Sequence, residues 1–231
     1  MPGPKPGWFA SLPRDRLIAE FSMWSADLGR LAEEVERISP HADMLHIDAA
    51  DGHFAPAFLF FPDLVAKLRS LTASPMHVHL MVADGALSSQ IDQFAEAGAD
   101  LVSIHVENRA VADAALDRIA SHGLAAGMAL RVETPVAEIA PWIGRLDALT
   151  LLGTAIGVKG QSLDPAACDR LREARARVAA SGRDVRVFAD GGIRENTVPA
   201  LRAAGAESVV LGSLAFGAPD LARRMDWLKG V

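Results

Sequence analysis

The chain has a single cysteine, Cys168, among its 231 residues. A disulfide within the chain is therefore excluded, which fits a reducing compartment. No apolar run reaches the roughly 18 residues that a membrane-spanning helix needs, and the first residues lack the apolar core of a secretory signal. These features lead us to expect a cytoplasmic protein with no membrane partner.

The sequence also lacks the basic excess that is typical of nucleic-acid-binding proteins. Its formal net charge is -6 and its isoelectric point is about 5.6, whereas a general nucleic-acid binder carries clustered lysine and arginine. A phosphorylated small molecule is not excluded, because a few local backbone donors are enough to bind one phosphate group. We expect a small-molecule partner and no nucleic-acid partner.

Short β-like runs alternate along the chain with longer amphipathic runs. The predicted strands span residues 17–21, 44–48, 76–81, 101–105, 125–130, 148–153, 186–189 and 208–211, each followed by a helix-like run. Strict alternation predicts a parallel sheet, and eight units predict a closed (β/α)8 barrel. An open doubly wound sheet is the alternative, but the chain has no early glycine-rich dinucleotide fingerprint to support it.

We interpret the chain as one domain with a short extension. Residues 16–231 contain no linker-like segment and are expected to form the barrel, which suits the usual size of this fold. Residues 1–15 are rich in proline and glycine and are predicted to be a flexible N-terminal arm. Trp8 and Phe9 in this arm are expected to pack either on a neighbouring chain or on the barrel itself.

Polar side chains gather at the predicted carboxyl ends of the strands, where this class of barrel carries its function. His46 and Asp48 share one face of the second strand because side chains alternate along a strand. His79 ends the third strand in the same way, and Asp190 ends the seventh. Two imidazoles and two carboxylates meeting at one barrel mouth suit zinc, manganese or iron(II), and the residues alone do not distinguish among these metals.

The last two strands are followed by glycine-containing turns. Asp190 is followed by Gly191 and Gly192, and the eighth strand is followed by Gly212 and Ser213. Glycine lets backbone N–H groups approach an oxyanion closely, and the loops after strands seven and eight are the usual phosphate site of this fold. The alternative is that both are ordinary turns.

Several ordered motifs resemble the ribulose-phosphate 3-epimerase family. The likeness runs from about residue 17 to residue 220. It rests on residues 22–27 (SMWSAD), 46–54 (HIDAADGHF), 79–82 (HLMV), 94–100 (FAEAGAD) with the following His105, 190–193 (DGGI) and 212–213 (GS). An ordered set of this kind is far more specific than a single glycine pattern.

The resemblance implies a metal-dependent 3-epimerase of a phosphorylated ketose that interconverts D-ribulose 5-phosphate and D-xylulose 5-phosphate and forms a homo-oligomer. It implies one divalent metal ion held by His46, Asp48, His79 and Asp190. Asp48 and Asp190 would also be the catalytic pair, exchanging the C3 proton on opposite faces of the sugar through an enediolate. The implied substrate-binding residues are Ser22, His79, Met81, Gly157, Gly160, Gly191, Gly192, Gly212 and Ser213.

The sequence departs from the family pattern at positions expected to contact the substrate. Ala50 and Leu152 replace methionines, Ala57 replaces an asparagine, and residues 155–161 (AIGVKGQ) replace a loop that usually reads like Asn-Pro-Gly-Phe-Gly-Gly-Gln. We expect Ala50 to leave space at the pocket wall. We expect Lys159 either to meet a phosphate or to lie in solvent, and by a narrow margin we favour solvent. These departures favour a member with an altered substrate loop, acting on another ketose phosphate such as allulose 6-phosphate.

Two other functions remain open from the residues alone. A lyase or decarboxylase of the same barrel group often carries an Asp-x-Lys-x-x-Asp arrangement at a strand end, which this sequence lacks. A sugar-phosphate-binding barrel without turnover would need no acid–base pair such as Asp48 and Asp190. His77 lies two residues deeper in its strand than His79, and we expect it to be structural.

Overall fold

The computed structural model describes residues 3–231, and these form a closed barrel of eight parallel strands in sequential order. The strands are β1 Ile18–Ser22, β2 Met44–Ala50, β3 Met76–Met81, β4 Leu101–His105, β5 Ala125–Leu130, β6 Ala148–Leu152, β7 Arg186–Asp190 and β8 Ser208–Leu211. The predicted (β/α)8 barrel is therefore confirmed. All eight strands lie within one or two residues of their predicted bounds.

The helices surround the barrel. They are α1 Leu31–Ile38, α2 Pro62–Arg69, α3 Asp84–Glu96, α4 Ala112–Ser121, α5 Ala167–Ser181, α6 Val198–Ala203, α7 Ser213–Phe216 and α8 Leu221–Lys229. Within residues 3–231, no helix has both the length and the apolar character needed to cross a membrane.

One predicted helix is replaced by shorter structure. The connection from β5 to β6 contains only two single-turn 3-10 helices, Val136–Ile139 and Ile143–Arg145. Pro141 lies between them, and proline has no N–H group to continue a helical hydrogen-bond ladder. The expectation that every strand is followed by a long helical run is therefore wrong at the fifth unit.

Helix α5 supports this shortened connection from the side. Arg170 donates from Nη1 to the carbonyl oxygen of Thr134 at 2.6 Å and from Nη2 to that of Arg131 at 2.7 Å. Arg131 in turn donates to the carbonyl oxygen of Phe54 and lies over its ring. The loops after β2 and β5 are thereby joined beside the barrel mouth.

The N-terminal segment packs against the opposite end of the barrel. Leu12 is buried, and Trp8 and Phe9 are half-buried against the same apolar cluster. The strand residues of that cluster are Ile18, Met44, Leu101, Ala148 and Phe188. Of the two surfaces expected for Trp8 and Phe9, the barrel is the one that they contact. The flexibility of residues 1–15 stays a prediction.

Candidate active site

The barrel register brings four titratable side chains together at the carboxyl ends of β2, β3 and β7. Asp48 lies opposite His79 across the β2–β3 pair. His46 Nε2 is 3.2 Å from Asp48 Oδ1 and 3.7 Å from Asp190 Oδ2. His79 Nδ1 is 3.3 Å from Asp48 Oδ1 and 3.7 Å from Asp190 Oδ2. These four residues form the metal-site cluster.

The spacing of the metal-site cluster fits a single divalent ion. Each residue offers one ligand atom, and the four atoms lie within 4.8 Å of one another. Ligands that bind one ion at about 2.1 Å are separated from each other by roughly 3.0–3.4 Å, close to the distances between these imidazole nitrogens and carboxylate oxygens. Mixed nitrogen and oxygen ligands suit zinc, manganese or iron.

The pKa values of the two carboxylates are shifted in opposite directions. Burial raises the pKa of Asp190 to about 6; His46 acts to lower it, while the negative charge of Asp48 raises it further. Burial would also raise the pKa of Asp48, but the contacts from His46 and His79 outweigh it and hold this pKa below its usual range. In the metal-free protein near neutral pH, Asp48 is the more readily ionised of the two.

His79 is linked to a buried chain of groups on its other side. Its Nε2 lies 2.8 Å from His105 Nε2, and His105 Nδ1 lies 2.9 Å from Glu107 Oε2. Burial lowers the pKa of His105 to about 4, so its ring is neutral at pH 7. A neutral His105 donates its Nδ1 proton to Glu107 and accepts one from His79. This pattern leaves His79 Nδ1 free to face the carboxylates.

Ser22 and Met81 complete the walls beside the carboxylates. Ser22 Oγ donates to Asp48 Oδ2 at 3.1 Å, so the hydroxyl restricts the orientation of that carboxylate. Met81 is buried and packs with Ala50 and Ala55. Ala50 belongs to this packed cluster and to a neighbouring surface pocket, not to the wall of the cavity at the barrel mouth. The expectation that Ala50 frees space in that wall is wrong.

The glycine turns after β7 and β8 approach the same cavity. Gly191 and Gly192 have φ angles of 88° and 71°, a region that favours glycine. A Cβ atom on Gly191 would lie 2.3 Å from Thr154 Oγ1. Neither N–H group donates a hydrogen bond within residues 3–231, so both are available to an anion. Gly212 and Ser213 line the cavity beside them.

The segment of residues 155–161, here called the β6–α5 loop, forms one side of the cavity. Gly157 contacts the loop after β2, since a Cβ atom there would meet Pro56 at 2.9 Å. Lys159 Nζ donates to the carbonyl oxygen of Trp24 and lies 4.6 Å from the centre of its ring. The preference for Lys159 in solvent needs partial correction: its side chain is exposed, but its ammonium group is held against the β1–α1 connection.

The structure brings nearly all of the predicted site residues to one cavity of about 300 Å³. Its walls contain Ser22, Asp48, His79, Met81, Gly157, Gly160, Asp190, Gly191, Gly192, Gly212 and Ser213. His46 is fully buried beneath the cavity and reaches the metal-site cluster from below. His77 lies deeper still, fully buried, with both ring nitrogens hydrogen-bonded.

Other residues of the site were missed by sequence reasoning. Trp24, Thr154, Gln161 and Arg194 also line the cavity. Trp24 and Gln161 lie in segments that the sequence analysis singled out, but neither was named there as a site residue. Glu20 lies under His46 and contacts it. A signal for Glu20 was present in the sequence: it is an acidic residue inside a strand that is otherwise apolar up to Ser22.

Comparisons with known proteins agree on one family. The model of the ribulose-phosphate 3 epimerase family matches residues 18–216. The chain is 38% identical over 204 residues to "Ribulose-phosphate 3-epimerase 1" of Cupriavidus necator, covering 86% of this chain and 84% of that protein. It is 34% identical over 210 residues to the ribulose-phosphate 3-epimerase of Escherichia coli K12, covering 90% and 92%.

Solved structures with little sequence likeness share the fold. A crystal structure of 3-hexulose-6-phosphate synthase superposes with a TM-score of 0.67 at 17% identity, covering 93% of this chain and 99% of that one. At this level of identity the likeness extends to the barrel alone.

The fold and the site together indicate a (β/α)8-barrel enzyme whose barrel mouth brings together two carboxylates and two imidazoles that could hold a metal ion. The comparisons narrow this class further. The chain belongs to the ribulose-phosphate 3-epimerase family and is therefore an isomerase of the epimerase type.

Proposed function

We propose that the chain is a metal-dependent 3-epimerase that interconverts D-ribulose 5-phosphate and D-xylulose 5-phosphate. The observation that carries this proposal is the pairing of Asp48 and Asp190 in one cavity, each beside the same two imidazoles. Two carboxylates at one site can serve as the base and the acid of a proton transfer. An epimerisation needs such a pair on opposite sides of the reacting carbon.

The proton transfers balance with these two groups. Ionised Asp48 takes the C3 proton, the electrons of the broken C–H bond form an enediolate, and protonated Asp190 returns a proton to the opposite face of C3. The reverse reaction starts from the exchanged protonation states. A divalent ion bound by the metal-site cluster would stabilise the negative charge that develops on the ketone oxygen. Ser22 orients Asp48 through its hydroxyl.

The substrate phosphate is assigned to the turns after β7 and β8. The free N–H groups of Gly191 and Gly192 would donate to the phosphate oxygens. Backbone N–H groups are less strongly hydrated than a charged side chain, so less hydration is lost when they bind an anion. Gly212 and Ser213 lie beside them in the cavity wall. Met81 supplies an apolar, polarizable surface on the side of the planar intermediate. The β6–α5 loop, with Gly157 and Gly160, covers the sugar.

A second ketose phosphate is the alternative substrate. Two departures from the family pattern in the cavity wall are the reason to test it. Lys159 places a cation at the edge of the cavity, and Leu152 takes the position of a family methionine in its wall. Both changes affect how a sugar is enclosed, and neither replaces a member of the metal-site cluster. Allulose 6-phosphate, with one more carbon, is the analogue to compare.

The test is proton NMR of D-ribulose 5-phosphate with metal-loaded protein in deuterated water. We expect loss of the C3 proton signal and appearance of the xylulose epimer. Asp190→Asn should slow both by about 10²–10⁴-fold, the usual contribution of a general acid or base, and Asp48→Asn should behave alike. No exchange with a metal-loaded wild-type protein, across ribulose 5-phosphate and allulose 6-phosphate, would overturn the proposal. If allulose 6-phosphate is turned over faster than D-ribulose 5-phosphate, allulose 6-phosphate is the preferred substrate of the proposed epimerase.

Assembly and location stay predictions. We expect a homo-oligomer, and the exposed apolar side chains of Leu28, Phe58 and Phe61 on one side of the barrel mouth are a surface that a second copy would cover. Sedimentation velocity of wild type and Phe58→Glu would test this. A cytoplasmic location stays an expectation, in line with the single cysteine.

A further inference from the structure

A carboxylate lies inside the barrel directly beneath the metal-site cluster. Glu20, the third residue of β1, is fully buried and faces the barrel axis two residues before Ser22. Interior layers of such barrels are usually filled by branched apolar side chains. A buried carboxylate is costly unless its oxygens are hydrogen-bonded. Its presence in this layer therefore needs a physical reason.

Three donors surround the Glu20 carboxylate. Oε2 lies 3.1 Å from His46 Nδ1 and 2.7 Å from His77 Nδ1. Oε1 accepts from Ser208 Oγ at 2.5 Å. Of these three donors, only His46 belongs to the metal-site cluster. Glu20 is thus joined to that cluster through one hydrogen bond, and to the barrel wall through two.

The two ring nitrogens of His46 point in opposite directions. Nδ1 faces Glu20, while Nε2 faces Asp48 and Asp190. A hydrogen bond donated from Nδ1 to a carboxylate fixes the tautomer in which the Nε2 lone pair is free for a metal. It also increases the electron density on Nε2. His46 lies wholly within the barrel, so water does not supply this partner instead.

We propose that Glu20 is a positioning residue for His46, which it orients so that Nε2 serves as a metal ligand. The inference rests on the proposed metal-dependent function. Glu20 itself lies one layer below the cavity and touches no substrate. Its own orientation is held by Ser208 and by His77, which are hydrogen-bonded to its carboxylate oxygens. The buried polar layer therefore acts as a support for one ligand.

The test is the metal affinity of variants, measured without substrate. Metal-free wild type and Glu20→Gln are titrated with zinc, and separately with manganese, against a chromophoric chelator. Glu20→Gln keeps the size of the side chain but removes the charge that His46 donates to. Loss of an outer partner of a ligating histidine weakens metal binding by about 10–100-fold, and we expect a shift of that size.

Two controls separate positioning from packing. Ser103→Ala removes the partner of His77 on the side away from His46, so it should lower stability while leaving metal affinity within about twofold of wild type. Thr150→Val replaces a buried hydroxyl that has no hydrogen-bond partner among residues 3–231 and should change neither quantity. If Glu20→Gln behaves like Ser103→Ala, with lower thermal stability and unchanged metal affinity, Glu20 is structural and the proposal is overturned.

A second measurement needs no variant at position 20. In zinc-loaded wild type, ¹⁵N NMR of the imidazoles, assigned with His46→Asn, should show the His46 proton on Nδ1 and zinc on Nε2. Zinc on Nδ1, or two ions per chain with one bound between Glu20 and His77, would overturn the proposal even if Glu20→Gln does not fold. Metal binding with the expected His46 tautomer but no epimerisation would instead contradict the proposed function and leave this inference standing.

Discussion

His105 connects the ring of His79 to the carboxylate of Glu107. It has no direct contact with the cavity, but His79 Nε2 lies 2.8 Å from it, and Glu107 holds its other nitrogen. Burial lowers the pKa of His105 to about 4, although Glu107 acts to raise it. Glu107 has a pKa of about 2; burial opposes this, and the contact with His105 is the main cause of the lowering. Both groups therefore couple folding to pH.

His105 should lower the unfolding free energy of the metal-free protein as the pH falls from 7 to 4, whereas Asp190, whose pKa is raised by burial, acts in the opposite direction over the same range. His105 titrates near 6.5 when unfolded and near 4 when folded, so the unfolded chain binds more protons between these values. At about 1.4 kcal/mol per pKa unit, this residue accounts for roughly 3 kcal/mol. Glu107 adds to the loss below about pH 4.5. Urea unfolding at each pH measures the slope.

His105→Gln is the matched variant for this measurement. It keeps a hydrogen-bonding side chain but does not titrate in this range. As the pH falls from 6.5 to 4, we expect the unfolding free energy of wild type to decrease relative to that of the variant. Parallel curves for the two proteins would show that His105 is not the coupled group.

At the scale of elements, the β6–α5 loop joins three connections over the cavity. Gly157 touches Pro56 in the loop after β2, and Lys159 reaches Trp24 after β1. Within the loop, Gln161 Nε2 donates to the carbonyl oxygens of Ala155 and Val158. This bracing lets a segment without regular secondary structure keep a defined shape. We expect the β6–α5 loop to affect how the substrate is enclosed more than it affects the proton transfers.

Lys159→Met should raise KM for the sugar phosphate with little change in kcat. The change keeps the length of the side chain but removes the hydrogen bond to Trp24 and the contact with its ring. An exposed cation–π contact contributes about 0.5–1 kcal/mol, which corresponds to a rise in KM of about two- to fivefold. Steady-state kinetics with ribulose 5-phosphate measures both constants. Lys67→Met, an exposed lysine on α2, is the control and should leave both unchanged.

At the scale of the whole molecule, the two ends of the barrel have different tasks. The carboxyl ends of the strands carry the cavity, and the amino ends are covered by the N-terminal segment through Leu12, Trp8 and Phe9. Apolar strand residues such as Phe188 would otherwise face water. The segment therefore stabilises the barrel from the end that has no predicted catalytic role.

Leu12→Ala should lower the unfolding free energy by about 2–3 kcal/mol, because truncating a buried leucine removes burial and leaves a cavity. Val158→Ala is the control, since Val158 is 48% exposed and should cost less than about 0.5 kcal/mol. Urea unfolding of both variants measures the difference. A cost for Leu12→Ala as small as that of Val158→Ala would mean that residues 1–15 are as loosely attached as their composition predicts.

The sequence by itself determined the barrel and the chemical character of its mouth. Alternating β and helical periodicity predicts eight parallel strands, and the alternation along a strand places His46 and Asp48 on one face. The ordered motifs also predict the family, which the comparisons confirm. These properties are local, because they depend on the spacing of residues within one element and on motif order along the chain.

Only the tertiary structure decided which side chains meet across strands. The contacts of Glu20 with His46, of His79 with His105, and of Lys159 with Trp24 join residues that are 26, 26 and 135 positions apart. Such contacts depend on strand register and on closure of β1 against β8, which no local pattern contains. The hydrogen bonds from Arg170 of α5 to the short connection between β5 and β6 likewise come from outside that connection.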